Sequence, residues 1–581
     1  MCGIAGEIDL NRNLKVNKSF LSSLSHRGPH NQTSLKLNEN FCLYHTRLKI
    51  IDLSNQSNQP MTTVDKRYTI SYNGELYNYK KIRSNLKLKG YTFSTEGDTE
   101  VFLKGFAEYG NNFFRIANGI FAVAIFDKKE KKLTLARDFI GVKPLYYSYD
   151  KKKFLFASEL KTISNNLNFK PNLNKKVLNE FLIYKYISGD ETLVKNIFKI
   201  DPGKIYTIDL KKKNISINIS QYYKFKEVDN SENILDAKER TRELLRNSVK
   251  LQTQSDANLG VQLSGGVDST LITELAMQER NIHNIYFSTF KNFKKDEYKY
   301  ANFVSKKLDI NFKKIELTKK YFMKNFLRSI YYLDEPLNHP HSVAIKQISK
   351  AAKKNVSVIL AGEGADEIFF GYERYMNIFP STNKQKILEN GAFLRTKSDL
   401  HLYNLFSSRK YGNPHHNRRQ IYDKINVNCN LKKFQLFESK THLQSLLLRS
   451  DKMMMSNSIE ARVPYLDLDL FNYSLNISAK IKKNKEQKIL LKKILQDLGY
   501  PIRFTNRKKI GYIVPYNNWL ISKKNFKKEI HNEILLSLFD RKSLNLLENN
   551  LQNNKNIYSN AKIYWLLNNL QNFISIFKLN F

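Results

Sequence analysis

Through residue 210 the hydrophobic positions come in short alternating runs. RYTISYNGELYN (67–78), GIFAVAIFD (119–127), KKLTLARD (131–138) and KKFLFASE (152–159) are separated by Gly, Asn and Asp turns. This is the pattern of strands and hairpins, with helices expected between them. From about residue 235 the period changes: NLGVQLS (258–264) runs into DSTLITELAMQER (268–280), NIYFSTF (284–290) follows, and VSVILAG (356–362) leads into another helix. Repeated strand-then-helix predicts a parallel sheet with covering helices. The polar stretch 210–235, carrying QYYKF, is the expected boundary, and the segment after 525 is helical, rich in Asn and Lys, and without legible chemistry. There is no internal repeat.

Length and composition add bounds. A chain of 581 residues with 41% hydrophobic and 12% aromatic residues is globular and too long for one ordinary core, so two sizeable domains are expected. Three scattered cysteines, Cys2, Cys42 and Cys429, make neither a disulfide framework nor a metal site and fit a reducing compartment. No signal segment and no membrane-length apolar run is present, so the expected location is cytoplasmic, with no membrane partner. The net charge of +42 would suggest a nucleic-acid partner, but the lysines are spread from Lys15 to Lys578 among many Asn and Ile. That is the bias of an AT-rich genome, and with no zinc finger or RNP strand to concentrate it, no nucleic-acid partner is expected.

Candidate chemistry begins at MCGIAG. Methionine before a small residue is ordinarily trimmed, which would leave Cys2 with both a thiol and a free α-amine. Such an amine titrates at about 7.7–8.0, so it can take the thiol proton near neutral pH, nucleophile and base in one residue. SHRGPH (25–30), HTRLKIIDLSNQSNQP (45–60), YNGELYN (72–78), EGDTEV (96–101) and RDFIGVKPLYY (137–147) follow in order. Together these motifs resemble the glutaminase domain of class II, N-terminal-nucleophile (Ntn) glutamine amidotransferases, over about 200 residues. The resemblance implies an α+β sandwich of antiparallel sheets in α/β/β/α layers, with a glutamine pocket at Cys2. By it, Asn73 and Gly74 form the oxyanion hole, Arg47 grips the glutamine carboxylate, and Glu75 and Asp98 surround the amino group. Ser25 and His30 depart from the Arg and Asp usual on either side of HRGP.

LSGGVDST (263–270) joins a buried strand to a helix. Glycines opening a helix offer backbone N–H groups and a favourable dipole to an anion, and this is not a Walker A loop. The motif resembles the pyrophosphate loop of ATP pyrophosphatases (adenine nucleotide alpha hydrolase-like α/β domains). That implies ATP contacts from Leu263, Ser264, Gly265, Gly266, Asp268, Ser269 and Thr270, with Mg²⁺ on Asp268. LAGEGADEIFFGYERY (360–375), LRSDKMMMSNSIEARVPYLD (448–467), EQKILLKKIL (486–495) and RKKIGYIVP (507–515) extend the resemblance to the glutamine-hydrolysing asparagine synthetase family, over nearly all of residues 2–525. It implies Asp366 as a second Mg²⁺ ligand, Ala361 and Gly362 at the nucleotide, Glu363 as acceptor of the ammonia proton, and Lys488, with Lys485 as the alternative, at the phosphoryl centre. Ala361 and Phe370 stand where the family usually has Ser and Gly.

The expected division is 2–212 glutaminase, 235–525 synthetase and 526–581 helical extension, with glutamine, aspartate and ATP as small-molecule partners; the architecture admits a homodimer. The motifs leave open an amidotransferase of the same build acting on another carboxylate, such as a sugar acid or secondary metabolite. A basic nucleic-acid-binding protein on a retired enzyme scaffold is the other alternative, and the intact Cys2, Arg47, Asn73, Asp98, Asp268 and Asp366 stand against it.

Overall fold

The computed structural model describes all residues except 1, 229–230, 291–296, 377–382, 385–386, 389–396, 483–485, 508–513, 515–518, 520–525 and 554. The first half holds twelve described strands. In chain order they are Cys2–Asp9 (β1), Asn31–Asn38 (β2), Phe41–Arg47 (β3), Met61–Thr62 (β4), Tyr68–Leu76 (β5) and Gly119–Asp127 (β6). Lys132–Arg137 (β7), Tyr146–Tyr149 (β8), Lys153–Ala157 (β9), Phe198–Lys199 (β10), Lys204–Asp209 (β11) and Ser216–Gln221 (β12) complete them. They form two antiparallel six-stranded sheets, ordered β10-β8-β9-β1-β3-β2 and β12-β11-β7-β6-β5-β4. The four runs read from the sequence lie on β5, β6, β7 and β9. β12 lies beyond residue 212 and pairs with β11, so the second sheet continues to residue 221.

Strand alternation builds the layers. Ile4, Ile8, Phe41 and Leu43 of one sheet meet Ala122, Ala124, Phe126 and Leu135 of the other in a dry interlayer. The opposite residues of the same strands, Ala5, Cys42 and Tyr44, pack with Phe20, Leu24 and Leu178 of flanking helices. On the far side Tyr72, Phe121 and Val123 pack against Val101, Phe102 and Phe113. Both faces of each sheet are covered, which is why runs such as GIFAVAIFD are apolar at nearly every position.

The second half has five described parallel strands: Leu259–Gln262 (β13), Asn284–Phe290 (β14), Phe312–Leu317 (β15), Val358–Leu360 (β16) and Glu460–Arg462 (β17). Their order is β15-β14-β13-β16-β17. Strand order reverses between β13 and β16, and the crevice beyond the C-terminal ends of strands at such a switch point is where open α/β sheets bind ligands. The two motifs that follow these strands, SGGVDST and AGEGADE, are thereby set side by side. The terminal helix Ile557–Ile576 places Leu566, Leu570 and Phe573 in one core with Phe322 and Val343. Beyond it, Asn580 exchanges backbone hydrogen bonds with Pro171 and Leu173 of the first half at 2.9 and 2.8 Å. Among the described residues no helix is long and apolar enough to cross a membrane.

Candidate active sites

The register of β1 on β3 sets Cys2 opposite Arg47. Cys2 is 6% exposed, and its backbone N–H donates to Asn73 Oδ1 of β5 at 2.9 Å, tying the two sheets together at the head of β1. With that oxygen engaged, the other half of the amide, Asn73 Nδ2, is buried and has no hydrogen-bond partner among the described residues. A buried donor left unpaired is costly, and a ligand oxygen would satisfy it. Gly74 is enforced by packing, since a Cβ there would overlap the Ile120 carbonyl.

Arg47 is buried, and its fork is aimed by the loop that follows it: Nη1 donates to Ser54 O at 2.6 Å and Asn58 Oδ1 at 2.9 Å, Nη2 to Asp52 O. Asp98 opens the helix Asp98–Tyr109, and its Oδ2 accepts from Leu76 N at 2.9 Å and Tyr72 Oη at 3.2 Å. Burial holds both Asp98 and Glu75 above the ordinary carboxylate range. Two buried carboxylates displaced in this direction favour a cationic ligand group. His45, buried behind the site, is driven down to about 3 by desolvation and is neutral. His30 reaches Arg47 through its backbone N–H, at 3.0 Å from the arginine carbonyl, while Ser25 bonds back to Ser22 of its own helix.

In the second half the glycine turn takes a left-handed conformation at Gly265, φ +81°. Leu263 N donates to Tyr286 O, and Ser269 Oγ accepts from Ser264 N at 3.0 Å, folding the loop over the start of the helix Val267–Glu279. Thr270 Oγ1 is buried with no hydrogen-bond partner among the described residues. Gly362 packs on Asp268 and Ser269, where a Cβ would lie 3.3 Å from each, so Ala361 and Gly362 line the same crevice. Lys488 comes from a third segment. Its Nζ lies 2.5 Å from both Asp268 Oδ2 and Asp366 Oδ1. The lysine has a left-handed φ of +54°, a conformation that costs a non-glycine residue about 1 kcal/mol or more and that a solvated helix lysine has no reason to adopt. Gly371 makes room for it: a Cβ there would overlap Asp366 and Lys488. Phe370 also has φ +56°, which explains the glycine usual at this position. Asp268 and Asp366 fit a divalent cation, since their carboxylates converge on a single ammonium and Asp268 Oδ1 is otherwise buried without a partner among the described residues. Half-buried Glu363 interacts electrostatically with the buried Arg449. Lys485 and residues 508–513 and 515 of RKKIGYIVP lie outside the described residues.

The halves are joined by buried charge. Arg27, fully buried, donates from Nε to the Cys2 carbonyl at 3.1 Å, from Nη1 to Glu159 at 2.8 Å and from Nη2 to Asp451 at 2.9 Å. Lys143 lies 3.7 Å from Asp451. Lys161 and Lys452 both pair with Asp334. Glu75 Oε2 lies 3.3 Å from Arg462, which also pairs with Glu460. Sequence reasoning gives no role to Arg27, Asp451 or Arg462, although SHRGPH, LRSDKMMM and SIEARVP contain them; their charged and polar neighbours in sequence give no local sign of which partner each meets.

Comparison with known proteins follows this division. Residues 1–223 match the glutamine amidotransferase domain family and residues 240–574 the asparagine synthase family. Asparagine synthetase [glutamine-hydrolyzing] 1 of Bacillus subtilis is 31% identical over 550 residues, covering 87% of this chain and 85% of that protein. Asparagine synthetase [glutamine-hydrolyzing] 3 of the same organism is 28% identical, over 94% of this chain and 93% of that protein. A putative asparagine synthetase [glutamine-hydrolyzing] 2 of Methanocaldococcus jannaschii is 32% identical, over 65% and 76%.

Proposed function

This chain belongs to the asparagine synthase family, with a glutamine amidotransferase domain at its head, and from that premise we propose that it makes asparagine from aspartate, ATP and the amide nitrogen of glutamine. The observation that carries the reading is the convergence of Asp268, Asp366 and Lys488, from three separate segments, beyond the switch-point strands of a chain that also buries Cys2 against Asn73.

In the first site Cys2 Sγ attacks the glutamine carboxamide carbon, its proton passing to the α-amine exposed by methionine removal. The tetrahedral oxyanion accepts from Asn73 Nδ2–H and the Gly74 N–H, donors of a kind worth about a hundred- to thousandfold in rate. Ammonia leaves as the C–N bond breaks, and water cleaves the thioester to glutamate and free Cys2. Arg47 receives the α-carboxylate as a two-pronged contact, and the anionic forms of Glu75 and Asp98 receive the ammonium.

In the second site Ser264, Gly265, Gly266, Ser269 and Thr270 hold the leaving pyrophosphate. The aspartate side-chain carboxylate attacks the α-phosphorus, forming the acyl-adenylate, and Lys488 balances the charge that develops there. Asp268 and Asp366 would hold Mg²⁺, which when bound neutralises phosphate charge. Ammonia then attacks the acyl carbon, Glu363 takes the surplus proton, and AMP departs. The glutaminase domain is proposed to run from residue 2 through β12, which extends the expected limit of 212 to 221; the limits 235–525 and 526–581 are kept. A cytoplasmic location, an architecture that admits a homodimer and the absence of a nucleic-acid partner are kept as part of this reading. The test supplies amide-¹⁵N glutamine, ATP and aspartate and follows the label by mass spectrometry. Label in the asparagine side chain is expected, and glutamine hydrolysis without asparagine at any aspartate concentration would transfer the assignment to another acceptor.

A further inference from the structure

A cavity of about 650 Å³ lies between the helices Lys319–Leu333 and His341–Ala352 and the turn at Asn457. Three cations line it, Arg328, Lys346 and Lys350, with the amides of Asn325 and Asn457 and the ring of Tyr332. In a chain with 96 Lys and Arg, exposed cations such as Arg328 and Lys350 are unremarkable. Lys346 is different. It is 5% exposed, its ammonium lies over the Tyr332 ring at 5.4 Å, and its hydrogen bond to Asn325 Oδ1 is a long 3.5 Å.

Several buried cations elsewhere sit beside carboxylates, as Arg27 does with Glu159 and Asp451 and Lys161 and Lys452 with Asp334, and others are held by several carbonyl oxygens, as Arg137 and Lys482 are. The Lys346 ammonium has only its one long hydrogen bond to Asn325 among the described residues. Among the described residues no carboxylate lies within 4 Å of the charged nitrogens of Arg328, Lys346 or Lys350, and the charges bearing on Lys346 are the two neighbouring cations. Burial and their repulsion push its pKa down to about 8. An ammonium buried without a counter-charge is destabilised, and a bound anion supplies that counter-charge.

We propose that this cavity binds a small multivalent oxyanion, held by Arg328, Lys346 and Lys350. The volume is in the range of small-molecule sites, larger than one phosphate needs, and the guanidinium fork suits a phosphoryl or carboxylate group. It is not the nucleotide site. Asn457 precedes β17, whereas the SGGVDST loop follows β13, and in a parallel sheet those are opposite edges.

Phosphoryl and carboxylate ligands share this chemistry, so the test uses two probes. Inorganic phosphate and citrate are titrated calorimetrically, in separate runs, into the full-length protein at low ionic strength, with α,β-methylene-ATP present to fill the nucleotide loop. At least one probe is expected to bind with 1:1 stoichiometry, and Lys346→Gln is expected to weaken it at least tenfold; the tighter probe names the ligand class. Because Lys346→Gln removes an uncompensated charge, the ligand-free variant is expected to melt no lower than the parent. Should it fail to fold, exposed Arg328→Gln carries the same expectation of weakened binding. Binding of neither probe, or binding that these substitutions leave unchanged, overturns the proposal.

Discussion

The Arg27–Asp451 pair spans the two halves at a point where Arg27 also holds the Cys2 carbonyl, so breaking it is expected to damage one activity selectively. At 2.9 Å and an effective dielectric of about 20, the two charges attract by about 6 kcal/mol, and Lys143 at 3.7 Å adds about 4 kcal/mol to what Asp451 receives. Desolvation offsets much of this, and removing one partner of a buried pair costs about 3–5 kcal/mol in practice. Asp451→Asn keeps an acceptor oxygen for Arg27 and belongs at the lower end, about 3 kcal/mol; Arg27→Gln takes a partner from both Glu159, which keeps Lys161, and Asp451, which keeps Lys143, and belongs toward the upper end, about 5 kcal/mol. The double variant should recover part of the sum, with a coupling energy of at least about 1.5 kcal/mol. The assay measures the thermal midpoint, glutaminase kcat/KM and ammonium-dependent synthesis for all four proteins. Glutaminase kcat/KM should fall at least about tenfold in each single variant, while synthesis from ammonium stays within about threefold of the parent. Additive midpoints, or an equal fall of both activities, would refute the reasoning.

Cys2→Ala is expected to abolish glutamine-dependent synthesis and spare synthesis from added ammonium, and an uncleavable N-terminal tag should mimic it by turning the α-amine into an amide; equal loss of both activities in Cys2→Ala would show the sites to be inseparable. Asp268→Asn should leave glutamine hydrolysis measurable while AMP and pyrophosphate formation falls at least about tenfold, or about 1.4 kcal/mol; ADP as the parent's product would contradict the scheme. Glu75 and Asp98 titrate above the ordinary carboxylate range because they are buried, and in the proposed pocket the glutamine ammonium needs their anionic forms. KM for glutamine should therefore rise as pH falls, starting at a higher pH than an exposed carboxylate would give, and a flat KM across the acid limb would exclude the pair from binding. L-Aspartate should outdo L-glutamate in ATP–pyrophosphate exchange by about ten- to two-hundredfold, the worth of one methylene in a close pocket; equal stimulation would mean that this pocket does not measure side-chain length.

Much of this was legible from sequence because local rules carry it. Period-2 runs bounded by turns placed β5, β6, β7 and β9, and a strand ending in SGG placed the loop at Gly265. β12 was not legible: SINISQ is short, polar and half exposed, and only its pairing with β11 makes it a strand. Neither were the partners of Arg27, since Asp451 is 424 positions away and no local pattern encodes which charges meet in the folded chain. Lys488 was ambiguous in a lysine-rich segment, and its backbone conformation and two carboxylate contacts, both tertiary facts, are what single it out.

The Arg27 fork has a consequence for the order in which the protein comes into being. Cys2 is translated second, but one of the carboxylates that hold the arginine bonded to its carbonyl is translated 424 positions after that arginine. While the ribosome is still adding the second half, the glutaminase half has its pocket residues and its sheets, yet of the two carboxylates that hold Arg27 only Glu159 is present. Full glutamine-cleaving competence is therefore expected only once the segment around Asp451 has emerged and folded. On that expectation a nascent or prematurely terminated chain would not spill ammonia with no acyl-adenylate to receive it.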